Sequence, residues 1–74
     1  MRLGKLVSDA RGRAKLTQAE LAIRARVDPR QVPRWERGAA LPKAAAVLRL
    51  SVALGLSVEA LATAWIMDRA ERDA

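Results

Sequence analysis

The chain has 74 residues, of which 51% are hydrophobic, and a formal net charge of +6. We expect one small domain over residues 1–74. The absence of cysteine and histidine excludes disulfides and thiolate metal sites and removes the commonest general base, so we expect no enzyme, metal or cofactor. Apolar runs stay well short of the ~20 residues of a membrane span, which predicts no membrane partner. The lack of cysteine favours a cytoplasmic protein, and a chain this short leaves no room for a small-molecule pocket.

The positive charge is concentrated in the first part of the chain. Residues 1–43 hold eleven Lys or Arg against four Asp or Glu, whereas residues 44–74 hold three against four. A basic front with a near-neutral back predicts a polyanionic partner that binds the first part. The alternative is that the cations only keep an alanine-rich surface in solution.

The composition favours helices, because Ala, Leu and Arg are abundant whereas Phe and Tyr are absent. Cap and turn residues divide the chain into five short predicted helices with short connections. Their expected bounds are residues 3–14, 18–26, 28–37, 42–55 and 58–71. The sequence therefore predicts an all-α fold, a compact helical bundle.

Capping residues mark two helix starts and one helix end. Thr17 and Glu20 form a capping box, in which each side chain accepts a hydrogen bond from the other residue's backbone amide. Asp28 followed by Pro29 predicts a second start, with proline at the first helical position. Gly38 is suited to the left-handed residue that closes the third helix.

The third predicted helix has two different faces. At helical spacing, Val32 and Trp35 lie together on one side. The opposite side carries three arginines, Arg30, Arg34 and Arg37. A helix held by two apolar residues and lined with guanidinium groups suits the major groove of DNA, because arginine can donate to guanine O6 and N7 or pair with phosphate. An ordinary solvated face is the alternative.

Several short motifs occur in order and at characteristic distances. They are LTQAELA at residues 16–22, Val27, Val32, RWERG at residues 34–38, Pro42 and ALGLSVEAL at residues 53–61. With these motifs the chain resembles the phage-repressor and Cro-type, or XRE-like, helix-turn-helix family over nearly its whole length. The resemblance implies a five-helix lambda-repressor-like bundle, with residues 18–25 and 28–37 as the helix-turn-helix.

The resemblance also implies a function and a set of site residues. The function is that of a transcriptional regulator of double-stranded DNA, a nucleoid-associated repressor that binds an inverted-repeat operator as a homodimer. The implied base-contacting residues are Pro29, Arg30, Gln31 and Arg34. The implied phosphate-contacting residues are Gln18, which could also brace the recognition helix, Arg37, Gly38 and Lys43. A structural ion pair between Arg11 and Glu36 would join the first helix to the third.

Three residues depart from the family's pattern. Lys15 and Arg26 stand where glycine is usual, and we expect a positive φ at Arg26. Pro33 cannot donate to the carbonyl of Pro29, so the first turn of the third helix is expected to be tight or bent. That bend either tunes the docking angle or is a tolerated flaw. Strain at this position predicts that Pro33→Ala stabilises the fold.

The fifth predicted helix carries more large apolar residues than one face can bury. Trp65 can pack on the core, but Ile66 and Met67 point in other directions. We expect Trp65, Ile66 and Met67 to form a two-fold dimer interface, which would place two recognition helices about 34 Å apart. The alternative is a monomer whose C-terminal turn is frayed.

A protein-interaction module is the rival function. In it the helix-turn-helix fold is kept, as in an antirepressor or a partner-docking domain, while Pro33 has spoiled the geometry that reads the groove. The salt dependence of DNA affinity separates the two functions. Catalysis is not expected, because caps and ion pairs account for the acidic residues of the basic front, Asp9, Glu20, Asp28 and Glu36.

Overall fold

A computed structural model describes residues 1–73 and forms five α-helices over them. They are α1 (Arg2–Arg13), α2 (Gln18–Ala25), α3 (Gln31–Glu36), α4 (Ala44–Leu54) and α5 (Val58–Arg72). The all-α, five-helix architecture predicted from the sequence is confirmed. Within these residues, no helix combines the length and the apolar character that crossing a membrane requires.

The core is a single cluster to which all five helices contribute. Its fully buried apolar residues are Leu3, Val7, Leu21, Val32, Leu50 and Leu61. The helix-turn-helix segment packs on a scaffold of α1, α4 and α5, with α2 against α4 and α3 against α1. Burying one such side chain contributes about 1.5–3 kcal/mol, so this cluster fixes the orientation of the short α3.

The connection between α2 and α3 turns through left-handed backbone at Arg26. Its φ is 57°, as expected for the position where glycine is usual, and its amide donates to the carbonyls of Ala22 and Ile23. Lys15, at the other position where glycine is usual, has the same φ of 57°. The capping box at the start of α2 is present, with Glu20 N to Thr17 Oγ1 at 3.0 Å and Thr17 N to Glu20 Oε1 at 2.8 Å.

The bounds of α3 correct the predicted helix over residues 28–37. The α-helix has only six residues, Gln31–Glu36, and a tight turn precedes it in which the amide of Gln31 donates to the carbonyl of Asp28 at 3.0 Å. Pro33 is therefore the third helical residue, where an N–H group has no acceptor within the helix. The expected tight first turn is found, whereas the proline does not interrupt a longer helix.

Gly38 ends the α3 segment in left-handed backbone with φ 75°. The amide of Ala39 donates to the carbonyl of Arg34 at 2.9 Å, and the amide of Gly38 donates to the carbonyl of Trp35 at 3.2 Å. These two bonds form a Schellman motif, which satisfies carbonyls at the helix end. The motif sets the direction of the connection to α4, residues 37–43.

Candidate nucleic-acid interface

Two buried side chains pack the short helix α3 against the core. Val32 is fully buried and Trp35 is 6% exposed, as the two-faced pattern predicted. Behind them α1 approaches very closely, because a Cβ at Gly4 would lie 2.5 Å from the carbonyl oxygen of Glu36 and 2.6 Å from that of Trp35. Glycine at this position therefore lets α1 support α3 directly, which leaves the other side of α3 exposed.

A network centred on Glu36 joins three helices. Its carboxylate accepts from Arg11 of α1, with Nε to Oε2 at 2.7 Å and Nη2 to Oε1 at 3.0 Å. Gln18 of α2 donates from Nε2 to Glu36 Oε1 at 3.0 Å. Arg11 also donates from Nη1 to the carbonyl of Leu16 at 2.9 Å. The predicted ion pair is thus present in the structure, and Gln18 takes part in it as a brace of α3.

Arg30 is paired locally with Asp28. Its Nε and Nη2 donate to the two oxygens of that carboxylate at 3.1 and 2.9 Å, while its backbone amide donates to Asp28 Oδ1 at 2.9 Å. The side-chain bonds from Arg30, together with its amide, lower the pKa of Asp28 below the ordinary value. The Arg30 side chain is 88% exposed and remains accessible from solvent, but a carboxylate offsets its charge.

The other residues expected to contact bases lie along the exposed side of the α3 segment. Arg34 is exposed, and its Nη1 lies 3.4 Å from Oε1 of the half-buried Gln31, a distance typical of a weak hydrogen bond. Pro29 is exposed in the turn before the helix. The structure therefore leaves Pro29 and Arg34 exposed on this segment, with Gln31 beside Arg34.

Of the four residues expected to contact phosphates, Gln18 is bonded to Glu36, and the other three fall into two groups. Arg37 and Lys43 are exposed at the two ends of the connection between α3 and α4. Gly38, in contrast, donates its amide to Trp35 and lies beneath the side chain of Met1. Its amide is thus already used in this conformation, and we leave Gly38 out of the phosphate contacts proposed below.

A groove between the α3 segment and α4 contains two cations that were not among the predicted contact residues. Arg26 and Arg49 line it together with Asp28, Gln31 and Lys43. Arg49 was overlooked because α4 was interpreted through its apolar stripe alone. The place of an exposed arginine in the periodicity of α4 does not show which segment it will face, since that depends on how α4 packs against α2 and α5.

The residues predicted to form a dimer interface are split between the interior and the surface. Trp65 is half-buried, and its Nε1 donates to the carbonyl of Pro42 at 2.7 Å. Ile66 and Met67 are 59% and 45% exposed. Trp65 is therefore a packing residue that fastens α5 to the connection before α4, whereas Ile66 and Met67 are open to a partner.

Comparison with known proteins places this arrangement in a family. A family model described as a helix-turn-helix domain matches residues 2–65, which include α1 to α4 and the first half of α5. Comparison with curated proteins gave no match. Comparison with solved structures gave none either.

Proposed function

Because the chain belongs to the helix-turn-helix domain family, we propose that it is a sequence-specific regulator that reads double-stranded DNA with α3. The observation that carries the proposal is the fixed placement of α3, with Val32 and Trp35 buried and Arg34 exposed on the other side. A short helix that is packed on the protein and exposed on its other side fits the major groove, where base edges present hydrogen-bond acceptors to arginine. The XRE-like motifs around it favour a repressor of the Cro type.

In this mode Arg34 donates to a base edge, and Gln31 beside it supplies a second polar contact. Arg30 exchanges its pairing with Asp28 for a base or a phosphate on binding. Arg37 and Lys43 pair with phosphates on either side of the connection, which fixes the register of α3 without reading sequence. The Glu36 network holds α1, α2 and α3 together, so that these contacts act as one unit.

A two-fold dimer through α5 completes the proposal. Ile66 and Met67 are large, apolar and exposed, and a symmetric pair of α5 helices would cover them. Two copies of α3 about 34 Å apart would then read the halves of an inverted repeat. Sedimentation of the isolated chain at micromolar concentration tests the pairing. An 8.1 kDa species alone would contradict it.

Selection of binding sites from random duplex DNA tests the function itself. We expect recovered sites with inverted symmetry. Arg34→Ala should cost about 1–3 kcal/mol and relax the preference at one position of each half-site. Lys43→Ala is the matched control, because loss of a phosphate contact should weaken all sequences evenly. If neither the wild type nor Arg34→Ala selects a preferred sequence, groove reading is contradicted.

The rival function, a protein-interaction module, is favoured by the pairing of Arg30 with Asp28 and by the brevity of α3. Both features reduce the charge and the length that this segment offers to a groove. Measurement of log K against log salt for duplex DNA separates the two functions. A DNA reader gives a slope of about −0.9 per phosphate contact, whereas an interaction module gives weak binding without sequence preference.

A further inference from the structure

The last two turns of α5 carry acids that contact the start of α1 and arginines that contact the connection between α3 and α4. Asp68 and Glu71 face the start of α1, where both pair with Arg2. Arg69 and Arg72 lie instead at the connection between α3 and α4. Within residues 1–73, no carboxylate lies within ion-pair distance of Arg69 or Arg72. The two acids thus share the Arg2 guanidinium, whereas Arg69 and Arg72 have no carboxylate partner among the described residues.

Specific contacts hold both arginines at this connection. Arg72 donates from Nη2 to the carbonyl of Gly38 at 2.9 Å. The guanidinium carbon of Arg69 lies 5.4 Å from the centre of the Trp65 ring, and the indole of Trp65 is bonded to the carbonyl of Pro42. The two guanidinium groups therefore lie at the beginning and at the end of the connection that also carries Arg37 and Lys43.

We propose that Arg69 and Arg72 bind backbone phosphates of the DNA, so that α5 extends the phosphate-binding surface beyond the helix-turn-helix. This inference rests on the proposed function. A guanidinium has five N–H donors, and Arg72 uses one of them on Gly38, which leaves the others for a phosphate. Stacking on Trp65 similarly orients Arg69 and leaves its N–H groups free to donate. Both residues lie beyond the family match, which ends at residue 65.

The slope of log K against log salt for a selected duplex tests the proposal. Arg69→Gln and Arg72→Gln should each reduce the magnitude of the slope by about 0.9, while the preferred sequence stays the same. Lys5→Gln is the matched control, because it removes one positive charge on the opposite side of α5, where Lys5 lines a groove between α1 and α5. It should leave the slope close to that of wild type.

The outcomes separate this inference from the proposed function. Absence of salt-dependent duplex binding by the wild-type chain would overturn both. A wild-type slope that Arg69→Gln and Arg72→Gln leave unchanged, or that Lys5→Gln reduces equally, would overturn this inference alone. Arg72→Lys should keep most of the slope, because it keeps the charge. Equal thermal melting of wild type and Arg72→Lys shows that the comparison is made on folded protein.

Discussion

The carboxylate of Asp68 in α5 accepts a hydrogen bond from the amide of Leu3 in α1 at 2.9 Å, across 65 residues of sequence. Its other oxygen accepts from the amide of Arg2 at 3.2 Å. Met1, at the start of α1, makes no side-chain capping bond. The fully buried Asp68 therefore supplies from another helix the acceptor that an N-cap residue usually provides, and it fastens α5 to the start of α1.

Asp68→Ala should destabilise the domain severely. The substitution leaves the amides of Leu3 and Arg2 without their acceptor, while the Arg2 guanidinium keeps only Glu71, and this should lower the free energy of unfolding by about 3 kcal/mol. Asp68→Asn should cost less, because its amide oxygen can still accept one of these bonds. Urea unfolding measures both. Glu71→Gln, at the exposed partner of Arg2, is the control with little expected effect, and a loss no larger for Asp68→Ala than for Glu71→Gln would contradict the buried cap.

Asp68 also predicts how stability depends on pH. Burial alone would raise the pKa of Asp68, but the amides of Leu3 and Arg2 and the Arg2 guanidinium outweigh it and lower that pKa below the ordinary value. A carboxyl with a lower pKa in the folded state stabilises the fold above its unfolded pKa of about 4. This contribution is lost as the pH falls through the folded pKa.

Thermal melting between neutral pH and pH 2 checks this sign. The wild-type melting temperature should be level above about pH 5 and fall below about pH 4. Asp68→Asn should start lower and fall less steeply, because it has no proton to gain at this position. The pKa values of Glu20 and Asp28 are lowered too, so some decline should remain in the variant. Parallel curves for wild type and variant would show that Asp68 is not the group responsible.

Local signals in the sequence were enough to predict the five helices, apart from the bounds of the third, but not the contacts between distant segments. Thr17 and Glu20 are three residues apart, and their capping box could be predicted because both partners belong to one helix start. The faces of Val32 and Trp35 followed in the same way from helical spacing. Asp68 gave no such signal, because its partners are the amides of a helix 65 residues away.

In the candidate site too, features of a single helix were predicted, whereas contacts that depend on turns or packing were not. The exposed arginines of the α3 segment followed from periodicity, but the pairing of Arg30 with Asp28 depends on the turn that replaces the first predicted turn of helix. The arginines of α5 were overlooked, because their half of the chain is near-neutral in total. Their place beside the connection between α3 and α4 depends on how α5 packs, which the sequence alone does not show.

Glu36→Ala should be among the most destabilising substitutions near the site. The side chains of Arg11 and Glu36 are 21% and 9% exposed, so removal of the carboxylate leaves a largely buried guanidinium unpaired, at a cost of about 3 kcal/mol. The double variant Arg11→Met with Glu36→Leu should recover most of this loss, because neither charge remains. Chemical denaturation of the three proteins measures the difference. A double variant less stable than Glu36→Ala would show that the pair contributes through more than charge compensation.

Asp28→Asn should strengthen binding to duplex DNA. Asparagine keeps an oxygen that can accept the backbone amide of Arg30, so the turn before α3 is retained, but it removes the charge that holds the Arg30 side chain. The freed guanidinium should raise affinity at low salt and steepen the salt dependence. Asp9→Asn, which makes the same charge change beside Lys5 on α1, is the control for net charge. Equal gains from both variants would mean that Arg30 makes no specific contact.

Pro33→Ala distinguishes a strained helix from a shortened one. The sequence predicted that alanine would stabilise the fold by relieving strain, but the helix begins at Gln31 and places Pro33 in its first turn. A new amide could donate to the carbonyl of Pro29 for about 1 kcal/mol, while the unfolded chain regains freedom that costs about 0.4–1 kcal/mol. We therefore expect a melting temperature within a few degrees of wild type.

The size of the change in melting temperature decides whether Pro33 strains the helix or only lies in the first turn of a short one. Pro29→Ala is the control, because Pro29 is exposed in the turn before α3. Its replacement should act only by increasing the conformational freedom of the unfolded chain. Since 1 kcal/mol shifts the melting temperature of a domain this small by about 4–8 °C, a rise beyond about 8 °C would require real strain at Pro33. A change equal to that of Pro29→Ala would instead show that the tight turn before Gln31 persists without the proline ring, and that Asp28 fixes it.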